Sequence, residues 1–460
     1  MNEYRFIRDM TYEKKAEDSL SYSSPCRGMW NIVHIATQIP DAHQIFVCPT
    51  SCLRGVVLTT AEMGAMDRLS TIAVGEDNIL EGDMEETLQR GVEKIIETLP
   101  ERPRMILIFI SCIHHFLAAN YQRVYRILRK KYPDIDFVDA YMDPIMRKKT
   151  PPIPCLIRQI YRVMEKGEKK NRQVNYIGNW FASPEYNDMT VHLRRSGIDV
   201  RDLSEETDYD RFRQMQESSV NLTFHNYASR AGKDLEIRLG QKHLKVRSSL
   251  DYEEIDKDME SVCEQLSIPA PDEDEIRSLR EQVEEKSKEL RELLGDTKIA
   301  VDYTSVDQPL GLCLFLARQG FRLDSCFIES LAETEEVFRK LQQTVPELKI
   351  YAADSFLMRK LSRGHEGNIL AIGQKAAYYT DTAHFVNIIN GADMYGYRGI
   401  LQLLQLMKDA YLYEKDMETL IQKKGLGCRI KKKADSKRAQ NSCVHIMGSD
   451  DDKEVSGEKE

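Results

Sequence analysis

The sequence predicts an α/β protein whose mostly parallel sheets are covered by helices on both faces. Three observations predict it. Apolar runs such as Met105-Ile106-Leu107-Ile108-Phe109-Ile110 lack polar alternation, as expected of strands buried on both faces. Runs of this kind alternate with helical patterns along the chain. The strand, turn and helix order also restarts, with strands at Gln44 to Val47, Gln173 to Ile177 and Lys298 to Tyr303. Three similar units follow from this, although no residue-level repeat is visible.

Taken in order, residues 1–24 read as a polar, irregular N-terminal arm. The first unit, 25–165, holds a helical stretch from Trp30 to Ala36, the strand at Gln44 to Val47, an apolar run from Arg54 to Leu58, and a strand over 69–75. Gly82-Asp83 then opens a helix from Met84 to Leu99. The buried strand Pro103 to Ile110, a helix over 116–131 and a strand over 134–140 follow. Thr150-Pro151-Pro152-Ile153-Pro154 punctuates the chain, and a charged helix ends at Lys169-Lys170-Asn171-Arg172. The second unit, 166–270, alternates strands at 173–177, 198–202 and 219–224 with helices at 185–196, 208–217 and 232–241. Pro269-Ala270-Pro271 introduces a long helix from Asp274 to Leu294, whose i, i+4 charge pairs support an exposed connector over 271–295. The third unit, 296–424, repeats the grammar to the strand at Asn368 to Gly373. The lysine-rich, then acidic residues 425–460 read as a disordered charged tail.

Composition bounds the function. A chain of 460 residues is too long for one ordinary domain and fits roughly three. With 42% apolar and 30% charged residues it has a soluble globular composition, and its net charge of -9 offers no overall footprint for nucleic acid. The basic runs at Arg129 to Lys131 and Lys431 to Lys433 read as solvated faces. No nucleic-acid partner is expected. No apolar core follows Met1-Asn2-Glu3-Tyr4-Arg5, so no signal peptide is expected. No window approaches 18 uninterrupted apolar residues, so no membrane span is expected either. Ten cysteines in so long a chain do not make a disulfide scaffold, and most, such as Cys263 and Cys313, sit singly in apolar surroundings. The expected setting is cytoplasmic.

Nothing fits G-x-x-x-x-G-K-[ST], and no G-x-G-x-x-G follows a strand, so nucleotide binding by this chain has no support. H-E-x-x-H, paired C-x-x-C and G-x-S-x-G are absent as well. Three cysteines remain. Cys26 lies in Ser24-Pro25-Cys26-Arg27-Gly28-Met29-Trp30, Cys52 in Phe46-Val47-Cys48-Pro49-Thr50-Ser51-Cys52, and Cys112 ends Ile106-Leu107-Ile108-Phe109-Ile110-Ser111-Cys112. Each sits where an apolar run meets a turn or helix start. Such turns gather on one edge of an α/β sheet, which allows the three thiols to converge on a soft metal or an iron–sulfur cluster. Cys48 reads first as a buried strand residue. It is also a weak candidate for an added ligand, as are a carboxylate or a partner-chain residue, because three thiolates leave one iron of a cubane without cysteine. His114-His115 reads as a helix start with one buried and one exposed ring, the alternative being to tune or cover a cluster. His225, ending a strand, reads as a hydrogen-bonded structural residue and as a weak candidate for acid/base catalysis or ligation.

The order and spacing of Cys26, Cys52 and Cys112 resemble the nitrogenase component 1 family, which includes the nitrogenase molybdenum–iron protein and light-independent protochlorophyllide reductase subunits. Asn78-Ile79-Leu80-Glu81-Gly82-Asp83 with its following helix is similar to an element the family carries between the second and third cysteines. Asn390-Gly391-Ala392-Asp393-Met394-Tyr395-Gly396-Tyr397-Arg398-Gly399 with helix 400–411 resembles the family's closing segment. The resemblance runs over roughly residues 24–415. It implies three Rossmann-like parallel-sheet domains and an iron–sulfur cluster ([4Fe-4S] or larger) held in the first by Cys26, Cys52 and Cys112. It also implies a second component 1-type subunit, identical or distinct, and electrons from a separate ATP-hydrolysing iron protein. The implied activity is that of an oxidoreductase subunit acting on a small substrate in the crevice among the domains. The family's cofactor-anchoring cysteine is replaced by Asn221-Leu222-Thr223-Phe224-His225, and no histidine stands in Phe385-Val386-Asn387-Ile388-Ile389-Asn390. Dinitrogen is therefore not the expected substrate. Two other readings are a scaffold for metal-cofactor or tetrapyrrole maturation and a non-catalytic small-molecule-binding protein.

Overall fold

The computed structural model describes residues 3–12, 22, 31–142, 151–331 and 333–420. Cys26 and the tail expected over 425–460 lie outside the described residues. The described residues form three sheets.

The chain starts with strand β1 (Arg5–Phe6), which joins the third sheet, and helix α1 (Ile32–Thr37). The first sheet then takes β2 (Ala42–Cys48), helix α2 (Thr50–Glu62), β3 (Leu69–Ala73), and helices α3 (Glu76–Glu81) and α4 (Met84–Thr98). β4 (Met105–Ser111), helices α5 (Cys112–Phe116) and α6 (Tyr121–Lys131), and β5 (Asp136–Met142) complete it. All pairings are parallel, in the order β3-β2-β4-β5. Every residue of β2 and β4 is buried, as their unbroken apolar runs require, and the rings of Phe46 and Phe109 stack at 4.3 Å across the pair. Helix α4 buries Met84, Leu88, Val92 and Ile96, an i, i+4 stripe, each side chain worth roughly 1.5–3 kcal/mol on burial. Gly82 ends α3 at φ 73, and Asp83 then accepts hydrogen bonds from Asn78 (2.9 Å) and Thr87 (3.0 Å), so Gly82-Asp83 is the turn that opens α4.

The helix expected over 116–131 is two helices. Ala118 turns left-handed (φ 50) and Asn120 caps α6 by accepting from the amide of Arg123. The first helix therefore begins at Cys112, directly on the end of β4.

The second sheet follows helix α7 (Pro152–Ile160). It contains β6 (Lys170–Tyr176), α8 (Asp188–Arg195), β7 (Asp199–Asp202), α9 (Tyr209–Gln214), β8 (Ser218–Thr223), α10 (Ser229–Leu239) and β9 (Lys242–Lys245). Its order is β7-β6-β8-β9, all parallel. Helices α11 (Tyr252–Leu266) and α12 (Glu273–Leu294) lead to the third sheet. There β10 (Lys298–Asp302), α13 (Pro309–Arg318), β11 (Leu323–Ile328), α14 (Glu335–Thr344), β12 (Lys349–Ala352), β13 (Ile369–Ile372), α15 (Gln374–Thr380) and β14 (Phe385–Val386) precede the closing helix α16 (Gly396–Leu412). The order is β1-β12-β11-β10-β13-β14, with only the β1–β12 pairing antiparallel.

Two expectations change. The described residues of the N-terminal arm are not wholly irregular. β1 extends the third sheet and Ile7 is fully buried beside it, held by Gln342, which donates to the carbonyls of Ile7 (2.7 Å) and Met10 (3.0 Å). Nor is the connecting helix α12 exposed on every face. Its charge pairs hide an apolar stripe of Leu279, Val283, Leu290 and Leu294 that packs against α16. Arg280 donates to the Tyr397 hydroxyl at 2.9 Å, and Arg398 pairs with Glu275 at 2.6 Å.

The Tyr395-Gly396-Tyr397-Arg398-Gly399 segment joins the second sheet to the third. Asp188, at the start of α8, accepts from the amides of Tyr397 (2.5 Å) and Arg398 (3.2 Å) and from the Arg398 guanidinium (2.5 Å). Gly396 sits at φ 77, and a Cβ there would overlap the Asp188 carboxylate. Only glycine permits both the backbone angle and the approach.

Candidate functional site

Two polar regions lie at the C-terminal edges of the parallel strands, where α/β proteins place their sites. The first carries thiols. Cys48 is the last residue of β2, Cys52 lies in the first turn of α2, and Cys112 opens α5 off β4, the strand paired with β2. Cys48 is fully buried, Cys112 half-buried and Cys52 exposed. Burial pushes the Cys48 thiol up to about 12, and the neighbouring Cys52 and Cys112 push it the same way, so the three sulfurs share one electrostatic neighbourhood. Cys48 is thus closed off at the end of β2. Cys52 and Cys112 are the accessible pair.

This edge suits a metal cluster chemically, because its accessible thiols are soft-metal donors. Beside Cys112 the Ser111 hydroxyl is buried with no hydrogen-bond partner among the described residues, and the His114 ring is buried against the Ser111 backbone. Burial holds His114 below the usual imidazole range, hence neutral. Among the described residues no three His, Cys, Asp or Glu form a group able to hold a metal ion. The described thiols alone are therefore an incomplete ligand set, and Cys26 is the sequence's further candidate.

The second region centres on His225, just beyond β8. Its Nδ1 lies 2.6 Å from Asp307 Oδ2 and its Nε2 lies 2.5 Å from Asp393 Oδ1. The ring of Tyr227 stacks on it at 4.9 Å. Burial alone would lower the imidazole pKa, but the charges and hydrogen bonds of Asp307 and Asp393 together outweigh it and raise it to about 10. Asp393 Oδ2 also accepts from the amides of Trp180 (2.6 Å) and Phe181 (2.7 Å). It reaches them from an unusual turn in which Asn390, Gly391, Ala392 and Asp393 all have positive φ (49, 67, 50 and 55). Left-handed backbone costs a non-glycine residue roughly 1–2 kcal/mol, a strain these hydrogen bonds offset. Behind Asp393 lies Asp202, raised to about 7, first by burial and then by the charge of Asp393.

The sequence singled out Cys26, Cys52 and Cys112, with Cys48 and His225 as weaker candidates; Cys26 lies outside the described residues, and the fold puts the other three cysteines at one edge and His225 at another. It missed Asp307 and Asp393, which are 82 and 168 residues from His225. The one available signal was Asp393 within the Asn390 to Gly399 segment.

The three sheet units, a thiol-bearing edge on the first and a half-closed crevice lined by His225, Asp307 and Asp393 between the second and third define the class: a three-unit α/β protein of mainly parallel sheets. A family model described as nitrogenase component 1 type oxidoreductase matches residues 30–411, and the chain belongs to that family. Proteins of the family bind iron–sulfur clusters, work with an iron protein and form oligomers. A solved structure titled "Nitrogenase Cp1 at pH 6.5" is similar with a TM-score of 0.60 at 15% identity, over 88% of this chain and 95% of that one. A second, titled "Nitrogenase Cp1 at pH 5", has a TM-score of 0.55 at 11% identity, over 86% and 90%. At such identities the likeness is one of fold. No curated protein matches the chain. No described helix is long and apolar enough to cross a membrane.

Proposed function

We propose that this chain is a cytoplasmic oxidoreductase subunit that binds an iron–sulfur cluster, [4Fe-4S] or larger, through Cys26, Cys52 and Cys112. In this reading it passes low-potential electrons from a separate ATP-hydrolysing iron protein to a small substrate other than dinitrogen. The observation that carries the proposal is the placement of Cys52 and Cys112 in the first turns after two paired parallel strands. When bound, such a cluster supplies one-electron chemistry at low potential. The chain's own residues supply the thiolates, the buried Ser111 and His114 beside them, and the sheet that fixes their spacing. Cys48, with its thiol held protonated, serves as packing under the site.

A second component 1-type subunit, identical or distinct, covers this edge. In keeping with that, Ile79 and Leu80 on α3 and Phe116 and Leu117 after β4 are exposed apolar residues near the same strand ends. The domain limits follow the sequence reading: 25–165 for the cluster-binding domain, 166–270 for the second, 271–295 for the connecting helix and 296–424 for the third. Dinitrogen is set aside because the crevice position where the family anchors its cofactor by cysteine carries His225, closed between two carboxylates.

The test mixes anaerobically purified protein with an iron protein and MgATP and follows the visible absorption of the cluster. Reduction that requires both additions is expected. A chain that takes up no electrons in any such mixture would contradict the proposal.

A further inference from the structure

A cavity of about 60 Å³ lies between the second and third sheets, in front of His225. Its walls are mainly apolar, among them Phe224, Leu250, Ile388, Ile400 and Leu403, and Asp307 forms its charged floor. No lysine or arginine lines it. The charges around it do not balance. His225 carries one positive charge against the two carboxylates that grip it, and Asp393 is fully engaged by the imidazole and two amides. Asp307, whose side chain is only 13% exposed, meets His225 Nδ1 through Oδ2, and among the described residues no other side chain bonds its carboxylate. Helix ends do not make up the difference. The amide of Leu310 at the start of α13 already donates to Glu333 (2.7 Å), and the first amides of α16 donate to Asp188. A half-closed, mainly apolar chamber whose two carboxylates share a single imidazole favours a positively charged guest, because burial weakens competition from water.

We propose that this cavity binds a small organic cation, a protonated nitrogen base with a short apolar substituent, whose ammonium group pairs with Asp307. The volume admits roughly four or five water-sized centres, which limits the guest to about that many non-hydrogen atoms. His225 does not touch the guest. It holds Asp307 in place and keeps the pair of carboxylates from repelling each other. The site stands apart from the cluster, so it survives if the cluster reading fails.

The test measures binding of ethylammonium, ethanol and acetate to the full-chain protein at pH 7.5 by calorimetry and ligand-observed NMR. Ethylammonium is expected to bind at least tenfold more tightly than either of the others. Asp307→Asn removes the charge and is expected to weaken it at least tenfold. Val306→Trp, which fills the chamber from a half-buried position and leaves the His225 pairing intact, is expected to abolish it. Cys52→Ala is expected to bind ethylammonium as the parent does, which separates this site from the thiol edge. Ethanol binding as well as ethylammonium, no binding of any probe, or an affinity unchanged in both cavity variants overturns the proposal.

Discussion

His225 Nε2 and Asp393 Oδ1 meet at 2.5 Å across 168 residues of chain, tying the end of the second sheet to the loop that precedes α16. With Asp307 on the other ring nitrogen, the imidazole is held charged well past neutrality. Its folded-state pKa of about 10 lies above the unfolded value near 6.5. The tie is therefore whole below about pH 6.5, and its contribution is lost as the pH climbs towards 10. Denaturant titrations between pH 6 and 10 are expected to show stability falling through that window. His225→Gln is expected to be about 3–5 kcal/mol less stable at pH 6.5, because it leaves buried carboxylates unpaired, and to lose most of that slope.

Asp202 behaves in the opposite chemical sense but with the same direction in pH. Its carboxyl, raised to about 7, prefers to be protonated in the folded chain, so stability falls as pH rises from about 4 through 7. Asp202→Asn removes that fall. Comparing its stability with the parent at pH 5 and pH 8 is expected to show the variant gaining on the parent at the higher pH. Equal differences at both values would show that Asp202 ionises as an ordinary carboxylate.

Glycines separate backbone cost from crowding. Gly82 and Gly396 both have positive φ (73 and 77), yet a Cβ on Gly82 meets nothing within 4 Å while one on Gly396 overlaps Asp188. Gly82→Ala is expected to cost about 1 kcal/mol in thermal or denaturant unfolding, and Gly396→Ala more than about 2 kcal/mol.

Thiol accessibility ranks the cysteines of the first sheet. In metal-free, unfolding-resistant buffer at pH 8, iodoacetamide followed by mass spectrometry is expected to alkylate Cys52 first and Cys112 next. Cys48 should remain unmodified because its thiol is buried and its pKa is about 12. Alkylation of Cys48 at the rate of Cys52 would place it among the accessible donors.

These sites were unequally legible in the sequence. Cys52 and Cys112 could be placed because strand ends are written locally: the apolar run of β4 stops at Ser111, and a sulfur next to that stop must lie at the sheet edge. His225 was found the same way, from the end of β8. Asp307 and Asp393 were not, since nothing local distinguishes a loop aspartate that turns inward from one that faces water. Their role depends on two sheets meeting, which is a property of the whole fold. The stripe on α12 was hidden by charges that dominate its composition, and β1 is too short for any periodicity to reveal that it pairs with β12. Gly396 stood in the quoted Asn390 to Gly399 segment, but its close approach to the Asp188 carboxylate emerges only from the fold.

The central claim is that iron binds at the thiol edge of the first sheet. It is tested most directly by iron and acid-labile sulfide content after anaerobic purification of the parent, Cys52→Ala, Cys112→Ala and, as a buried control, Cys263→Ala. About four or more irons per chain in the parent and in Cys263→Ala, with most of the iron lost from Cys52→Ala and Cys112→Ala, is the predicted result. Iron absent from the parent, or retained undiminished when both edge cysteines are replaced, would contradict the account.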